Sequence, residues 1–415
     1  MGDANTGNAS IGHRTPAPSA ADGRRTLAVS CAEHFVHDGI ADAIYVLLPV
    51  WALSFALDYA QVGTLRMAYS SAMAVLQMPA GMLGERTGER ALLSAGTLLA
   101  AAGFALLATA NAYVPLLALI LLSGIGSAVQ HPIASTLIAR AYAGASRRAA
   151  LGVYNFVGDV GKMVVTVLIG LAIAAMGWRA SVAVYGAIVA AVGVFTFLAL
   201  GAAARPILAK ARGRTPLTWG DWGFTSTKGF ALLAAIQVID SACRTGFLTF
   251  APFLLIAKGA GVASIGFALG LIFIGGAAGK LVCGLVADRF GILRTVILTE
   301  LATGILIAAV VAAPPLLTTL LLIPLGIALN GTSSVLYGTV AEFVREDRQS
   351  RSFGLFYALG SAAGAIAPLV FGVVSDAIGV ASAILFIAAF ALLTLPIALA
   401  LNPYIAGQRM PETRE

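Results

Sequence analysis

Charged side chains are scarce in this chain, and several interrupt long apolar stretches at helical spacing. His34, Asp38 and Asp42 stand at i, i+4 and i+8, and Tyr45 and Pro49 continue the stripe. At 3.6 residues per turn these positions share one slowly drifting face. A carboxylate withdrawn from water is stabilised by taking up a proton, and an imidazole titrates near neutrality. His34, Asp38 and Asp42 are therefore the candidate proton-coupling set. The competing reading is a hydrogen-bond network that locks this helix to its neighbours. A second stripe holds Asn155, Asp159, Lys162 and Thr166 at spacings of 4, 3 and 4. Asp159 and Lys162 can pair with each other. A buried pair is seldom a net stabiliser, and if it opens Lys162 becomes a partner for an anion. A third stripe holds Gln237, Asp240 and Arg244, with Asp240 and Arg244 four apart. The planar guanidinium fork of Arg244 suits a carboxylate or a phosphonate. Tyr45, Arg66, His131, Asn330 and Tyr337 complete the candidate substrate contacts. Arg66 and Lys280 lie close enough to helix ends to snorkel toward water instead.

The elements that carry these residues follow from composition. Of 415 residues, 59% are hydrophobic and 11% charged, against about 25% charged in an average soluble domain. Mean hydropathy is +0.91. Such a chain cannot coat itself for water, which excludes a soluble enzyme, a nucleic-acid-binding module and a disordered protein. It reads as an all-α polytopic membrane protein whose partner is the lipid bilayer. Crossing the hydrocarbon takes about 20 mostly apolar residues, and unpaired amides are not tolerated there, so the crossings are helices. Twelve such runs can be read, at 29–54, 61–84, 91–112, 114–141, 149–176, 179–203, 229–257, 262–286, 294–313, 315–342, 350–375 and 380–401. The expected organisation is a disordered tail over 1–28, a six-helix bundle over 29–203, a linker over 204–228, a second bundle over 229–401 and a tail over 402–415. Lys and Arg mark the cytoplasmic side. With the N-terminus inside, 20 of the 26 basic residues fall on that side. The expectation is thus an inner-membrane protein with both termini cytoplasmic, and the basic balance is a topology signal rather than a nucleic-acid footprint. Cys31, Cys243 and Cys283 lie in apolar runs without CxxC spacing and read as core residues.

The two halves are copies. A shift of 203 superposes Pro49 on Pro252, Gly63 on Gly266, Gly81 on Gly284, Arg86 on Arg289 and Gly88 on Gly291. A shift of 202 superposes Gly152 on Gly354, Gly158 on Gly360, Gly170 on Gly372 and Gly177 on Gly379. Parallel repeats place a binding site between the halves near the midplane. The charges are not copied: Asp159 falls on Ser361, Lys162 on Gly364, Ala41 on Arg244 and Gln77 on Lys280. Symmetry would serve the fold, and the unshared charges give each half a separate task, helix one in proton coupling and Lys162 with Arg244 in substrate binding.

The runs GMLGERTGER (Gly81–Arg90) and GLVADRFGILR (Gly284–Arg294) resemble the loop signature G-x-L-x-D-R-x-G-x-R of the major facilitator superfamily. They follow the second and eighth spans, as that family has it. Span count, middle loop and repeat extend the resemblance over the whole chain. HFVHD, GIGSAVQHP and ALGVYNFVGDVGK resemble the fosmidomycin-resistance type of exporter within it. The chain departs from the family pattern in carrying Glu85 for the usual aspartate, in lacking an arginine near Ile120, and in lacking a Gly-Pro pair in the fifth span. The resemblance implies the major facilitator fold and a proton-coupled secondary transporter that exports a small anionic or zwitterionic compound by alternating access, working as a monomer. Import by proton symport is the alternative, and a passive facilitator a further one. Glu85, Arg86, Asp288 and Arg289 are assigned to gating, because a carboxylate there can cap a neighbouring helix N-terminus and the arginines can pair with it. No ATP-binding loop of the GxxxxGK[ST] type occurs, so an ion gradient is the expected energy source. No enzyme activity, metal or cofactor is expected; His34 and His37 with Asp38 are a poor metal set by spacing.

Overall fold

The computed structural model describes residues 20–142, 144–200, 222–345 and 348–406. Its regular elements are helices: α1 Ala20–Phe55, α2 Tyr59–Thr87, α3 Glu89–Leu106, α4 Tyr113–Ser127, α5 Gln130–Ala141, α6 Gly144–Leu200, α7 Thr227–Ala257, α8 Val262–Phe290, α9 Ile292–Ala312, α10 Pro315–Thr339, α11 Gln349–Ile378, α12 Val380–Leu392 and α13 Thr394–Ala406. Short 3-10 turns and one isolated bridge, Phe224 to Val344, complete the regular structure among the described residues. Ten helical segments are long and apolar enough to cross a bilayer. One of them, α6, contains two spans joined at Gly177, whose φ of 79° breaks the helical path. The second expected span, α2, is too polar to qualify on composition. It is held between α4 and α11 by packing.

Two expected spans are broken rather than continuous, each by proline. The fourth divides into α4 and α5 at Ala128 and Val129. Pro132 has no amide hydrogen, and its ring crowds the carbonyl four residues back. The twelfth divides into α12 and α13 at Leu393, and Pro396 acts in the same way. Both breaks free side chains that matter below. The first helix starts at Ala20, ahead of the expected boundary at Val29, and α13 runs to Ala406, past the expected end at 401. Most of the expected tails and linker, 1–19, 201–221 and 407–415, lies outside the described residues.

The repeat is visible in the backbone. Gly88 and Gly291 turn the chain with the same φ of 91°, and Gly177 and Gly379 with φ of 79° and 82°. Only glycine enters that region without strain. The described residues therefore form twelve spans in two equivalent bundles, α1–α6 and α7–α13. One face of the molecule, the near face, is where α1 starts and α2 ends; the far face is where α1 ends and α2 starts. The bundles meet along two pseudo-symmetric seams, α2 with α11 and the first limb of α6 with α8. Lipid is as apolar as leucine, so helices in it associate through close packing of small residues. At the far face Gly63 lies against the Pro368 backbone and Gly372 against Tyr59, while Gly266 lies against Thr166 and Gly170 against Val262. At the near face the equivalent glycines are free: Gly152, Gly284 and Gly354 meet nothing, and Gly81 only Pro132. The halves are thus sealed at the far face and parted at the near face. A continuous apolar core running through both bundles, including Trp51, Phe104, Phe247 and Phe250, supports the seal.

Candidate functional site: a charged cavity between the halves

α1 presents its polar stripe to the gap between the bundles. His34 Nδ1 lies 2.9 Å from the carbonyl oxygen of Tyr154. A carbonyl only accepts, so Nδ1 carries a hydrogen and Nε2 is left to face Asp38. Nε2 lies 3.2 Å from Asp38 Oδ2. At that distance the two groups are placed to share a proton. Asp38 Oδ2 is also 3.2 Å from Lys162 Nζ, and Oδ1 is 3.8 Å from His131 Nε2. His131 reaches this point because the break before α5 turns it inward. It stands edge-on to His34 with ring centroids 5.0 Å apart.

Lys162 links this group to the opposite bundle. Its Nζ is 3.3 Å from Asp159 Oδ1, and both Asp159 oxygens accept from Lys280 Nζ of α8, at 2.8 and 2.6 Å. The chain Asp38–Lys162–Asp159–Lys280 crosses from one half to the other. It lines two adjoining cavities. One of about 210 Å³ is bounded by Asp42, Tyr45, Arg66, Arg244 and Asn330 as well. The other, of about 670 Å³, extends past His34, His131, Asn155, Tyr337 and Tyr357. Four cations (Arg66, Lys162, Arg244, Lys280) and three carboxylates (Asp38, Asp42, Asp159) thus face this space.

Arg66 and Lys280 both line the cavity, rather than snorkelling. Arg66 donates to the Ala41 carbonyl at 2.7 Å and stacks over the Tyr45 ring at 4.2 Å. Arg244 makes only a 3.4 Å contact with Ser241 Oγ, and no direct Asp240–Arg244 ion pair forms among the described residues. Gln237 and Asp240 are buried within the C-terminal bundle, away from the cavity walls. Gln237 donates to the Tyr337 hydroxyl at 3.3 Å, and Asp240 turns to Glu300 of α9. At the near face Arg86, Asp288 and Arg289 lie outside the buried core. Among the described residues no cap of a helix by Asp288 and no ion pair of Arg86 or Arg289 is found. Nothing is described of the Glu85 side chain. Four residues on, Glu89, buried in the first turn of α3, meets Arg140 in the last turn of α5. Charges of this sign at these termini complement both helix dipoles.

Other buried acidic groups escape a search by stripe. Glu33 accepts from Thr97 Oγ1 at 2.6 Å and from Thr196, and lies 3.5 Å from His37 Nε2. His37 bridges Thr97 and Ser127, at 3.0 and 3.2 Å. Glu300 is a further case, and its available signal in the sequence is a lone acid inside an apolar span. As to metals, one donor atom each from His34, Asp38 and His131 lies within 4.8 Å of the others. That is a different trio from the one the sequence suggests, and the Lys162 ammonium already neutralises its carboxylate and opposes a further cation.

Two equivalent six-span bundles enclosing a charged cavity, sealed at one face, define a membrane transporter of the two-bundle secondary type. The chain belongs to the Major Facilitator Superfamily, whose sequence pattern matches residues 34–256 and 233–407. It is similar to the uncharacterized MFS-type transporter YfnC of Bacillus subtilis (strain 168), 27% identical over 362 residues, which are 86% of this chain and 87% of that protein. Among solved structures it is similar to a bacterial homolog of the human lysosomal transporter Spinster in its inward-facing, unoccupied conformation. The TM-score is 0.80 at 16% identity, covering 95% of this chain and 100% of the other. A mutant form of the nucleoside transporter NupG gives 0.76 at 14% identity, covering 92% and 99%. At such identities these structures speak for the fold alone.

Proposed function

We propose that this protein is a proton-coupled exporter of a small anionic or zwitterionic organic compound, working by alternating access as a monomer in the inner membrane with both termini cytoplasmic. The observation that carries the reading is the direct join between two groups placed to share a proton, His34 and Asp38, and a cation, Lys162, that lines the cavity. An anion drawn to Lys162 and Arg244 competes with Asp38 and Asp159 for the ammonium. A cationic group of the same molecule then meets the uncovered Asp38 carboxylate and takes the place of the proton on the His34–Asp38 pair, so substrate and proton exclude one another, as export driven by a proton gradient requires. Substrate and proton occupancy are linked by that exchange. Four cations against three carboxylates give the cavity a surplus for an anion. The loop residues Glu85, Arg86, Asp288 and Arg289 are read as near-face gates that engage when that face closes. The resemblance of HFVHD, GIGSAVQHP and ALGVYNFVGDVGK to the fosmidomycin-resistance type favours export.

The test uses the full chain in liposomes with an imposed pH gradient. Small phosphonates and carboxylates are first screened by thermal shift, and hits should lose their protection in Arg244→Ala. Antiport accumulates the hit in the acidic compartment, and Asp38→Asn abolishes the accumulation. Accumulation in the alkaline compartment assigns proton symport instead. Equilibration that ignores the gradient, alike in wild type and Asp38→Asn, refutes coupling.

A further inference from the structure

The C-terminal bundle contains two carboxyl groups in contact, away from the charged network of the cavity. Asp240 of α7 is 3% exposed and Glu300 of α9 is 1% exposed, and their carboxyl groups lie within hydrogen-bond reach of each other. Asp240 Oδ2 and Glu300 Oε1 are buried with no hydrogen-bond partner. The other Glu300 oxygen is 3.4 Å from Thr394 Oγ1, placed there by the helix break that Pro396 causes. Thr332 of α10 also meets Glu300. Two ionised carboxylates cannot share a dry site, and both unpartnered atoms are acceptors in want of one donor. A single proton supplies it.

We propose that Asp240 and Glu300 form a second proton-binding site, in which one proton is shared between the two carboxyl groups. The surrounding groups fix its sense. Arg244, one turn along α7, is the cation whose field reaches Asp240. It draws the remaining negative charge to Asp240, so the proton sits on Glu300. α10 presents Thr332 and Tyr337, and α7 itself adds Cys243. α11 presents Tyr357, which is stacked on Tyr337. α12 carries no titratable residue, α13 presents Thr394, and Lys280 of α8 is engaged by Asp159. α1 contributes Tyr45, beside Arg244 at the cavity wall. Among the described residues Arg244 is the cation that links the site to the cavity. An anion at Arg244 would weaken the field on Asp240 and favour a second proton on the pair. That last step rests on the reading of the cavity given above, whereas the existence of the site does not.

The experiment is infrared difference spectroscopy of the full chain in liposomes, following the carbonyl band of protonated carboxyl groups and its shift in D2O. Wild type should show a buried acid band at neutral pH that is lost on alkalinisation. Glu300→Gln should remove it. Arg244→Gln should increase its intensity at neutral pH, since the pair then takes a second proton. Thr394→Val leaves both carboxyl groups in place and should shift the band without removing it, which keeps the test decisive if Glu300→Gln folds poorly. A band that persists unchanged in Glu300→Gln and Thr394→Val, or that never titrates in wild type, overturns the proposal. Neither result bears on gradient-driven transport.

Discussion

Gly63→Ala should tilt the molecule toward the opposite conformation. A Cβ at Gly63 would collide with the Pro368 carbonyl oxygen, and would lie 2.5 Å from the Pro368 carbonyl carbon and 2.7 Å from Leu369 Cα. All three are backbone atoms, so no rotamer change relieves the clash. Ordinary contact begins at 3.4 Å, so α2 and α11 must part appreciably at the far face. Overpacking of this kind costs about 1–3 kcal/mol. The cost falls only on the state in which the far face is sealed, so the two-state equilibrium moves by about 5- to 150-fold toward its opening. The counterpart is Gly152→Ala. Its Cβ meets nothing within 4 Å here, yet it occupies the near-face seam that has to close in the other state. That substitution should hold the molecule in the present state. Pulsed electron resonance between spin labels at Val153 and Leu285, both exposed at the near-face ends of α6 and α8, reads the populations. Gly63→Ala should enrich the short near-face distance and Gly152→Ala the long one. If both move the distribution in the same direction, or neither moves it, the far-face glycine seams do not govern the exchange.

Asp376→Ala should weaken the same seal. Asp376 of α11 accepts from the Tyr59 and Ala60 amides at 2.8 and 2.9 Å, capping α2 from the other bundle, and loss of a cap costs about 1 kcal/mol. The same distance measurement should show a shift of roughly fivefold, with Asp376→Asn close to wild type. Asp159→Asn and Lys280→Met should each lower the melting temperature, and the double variant should lower it by less than their sum. A coupling of about 1 kcal/mol in that cycle marks the bridge between halves, and strict additivity removes it. Glu33→Leu leaves Thr196, Thr97 and His37 without their buried acceptor and should cost about 2 kcal/mol or more, whereas Glu33→Gln should cost less, as thermal melting in detergent will measure.

Much of the scaffold is legible in the residues because lipid allows so few solutions. Apolar run length defines the spans, and glycine spacing defines the repeat, down to the paired turns at Gly88 and Gly291. What spacing cannot supply is the partner across a gap. Asp240 and Arg244 sit four apart, the spacing of an ion pair, yet Asp240 finds Glu300 on another helix and Arg244 is left to the cavity. Lys162 does stand beside Asp159 as its spacing predicts, but its tie to Asp38 joins two stripes that a sequence can only set side by side. An apolar run of twenty-odd residues conceals a kink, so the proline breaks do not show as gaps in hydropathy. Those kinks deliver His131 to Asp38 and Thr394 to Glu300.

The unequal charges of the halves then have a physical consequence. Identical halves would make the α2–α11 and α6–α8 seams alike, whereas here the charges set on them differ. Here Asp38, Lys162 and Asp159 belong to one bundle and Lys280 and Arg244 to the other, with the Asp159–Lys280 contact drawn across the parted side of the molecule. That contact restrains how far the near face can open, and an anion bound to Lys280 or Lys162 competes for the same charges. Occupancy of the cavity therefore acts directly on the restraint between the bundles. The glycine seams supply the closure at the far face, and the charges between the bundles act on the parted side. A ligand shifts such an equilibrium only by its differential affinity for the two states. On the function proposed above, the ion bridge is where that difference arises, because among the described residues it is the ion pair between halves.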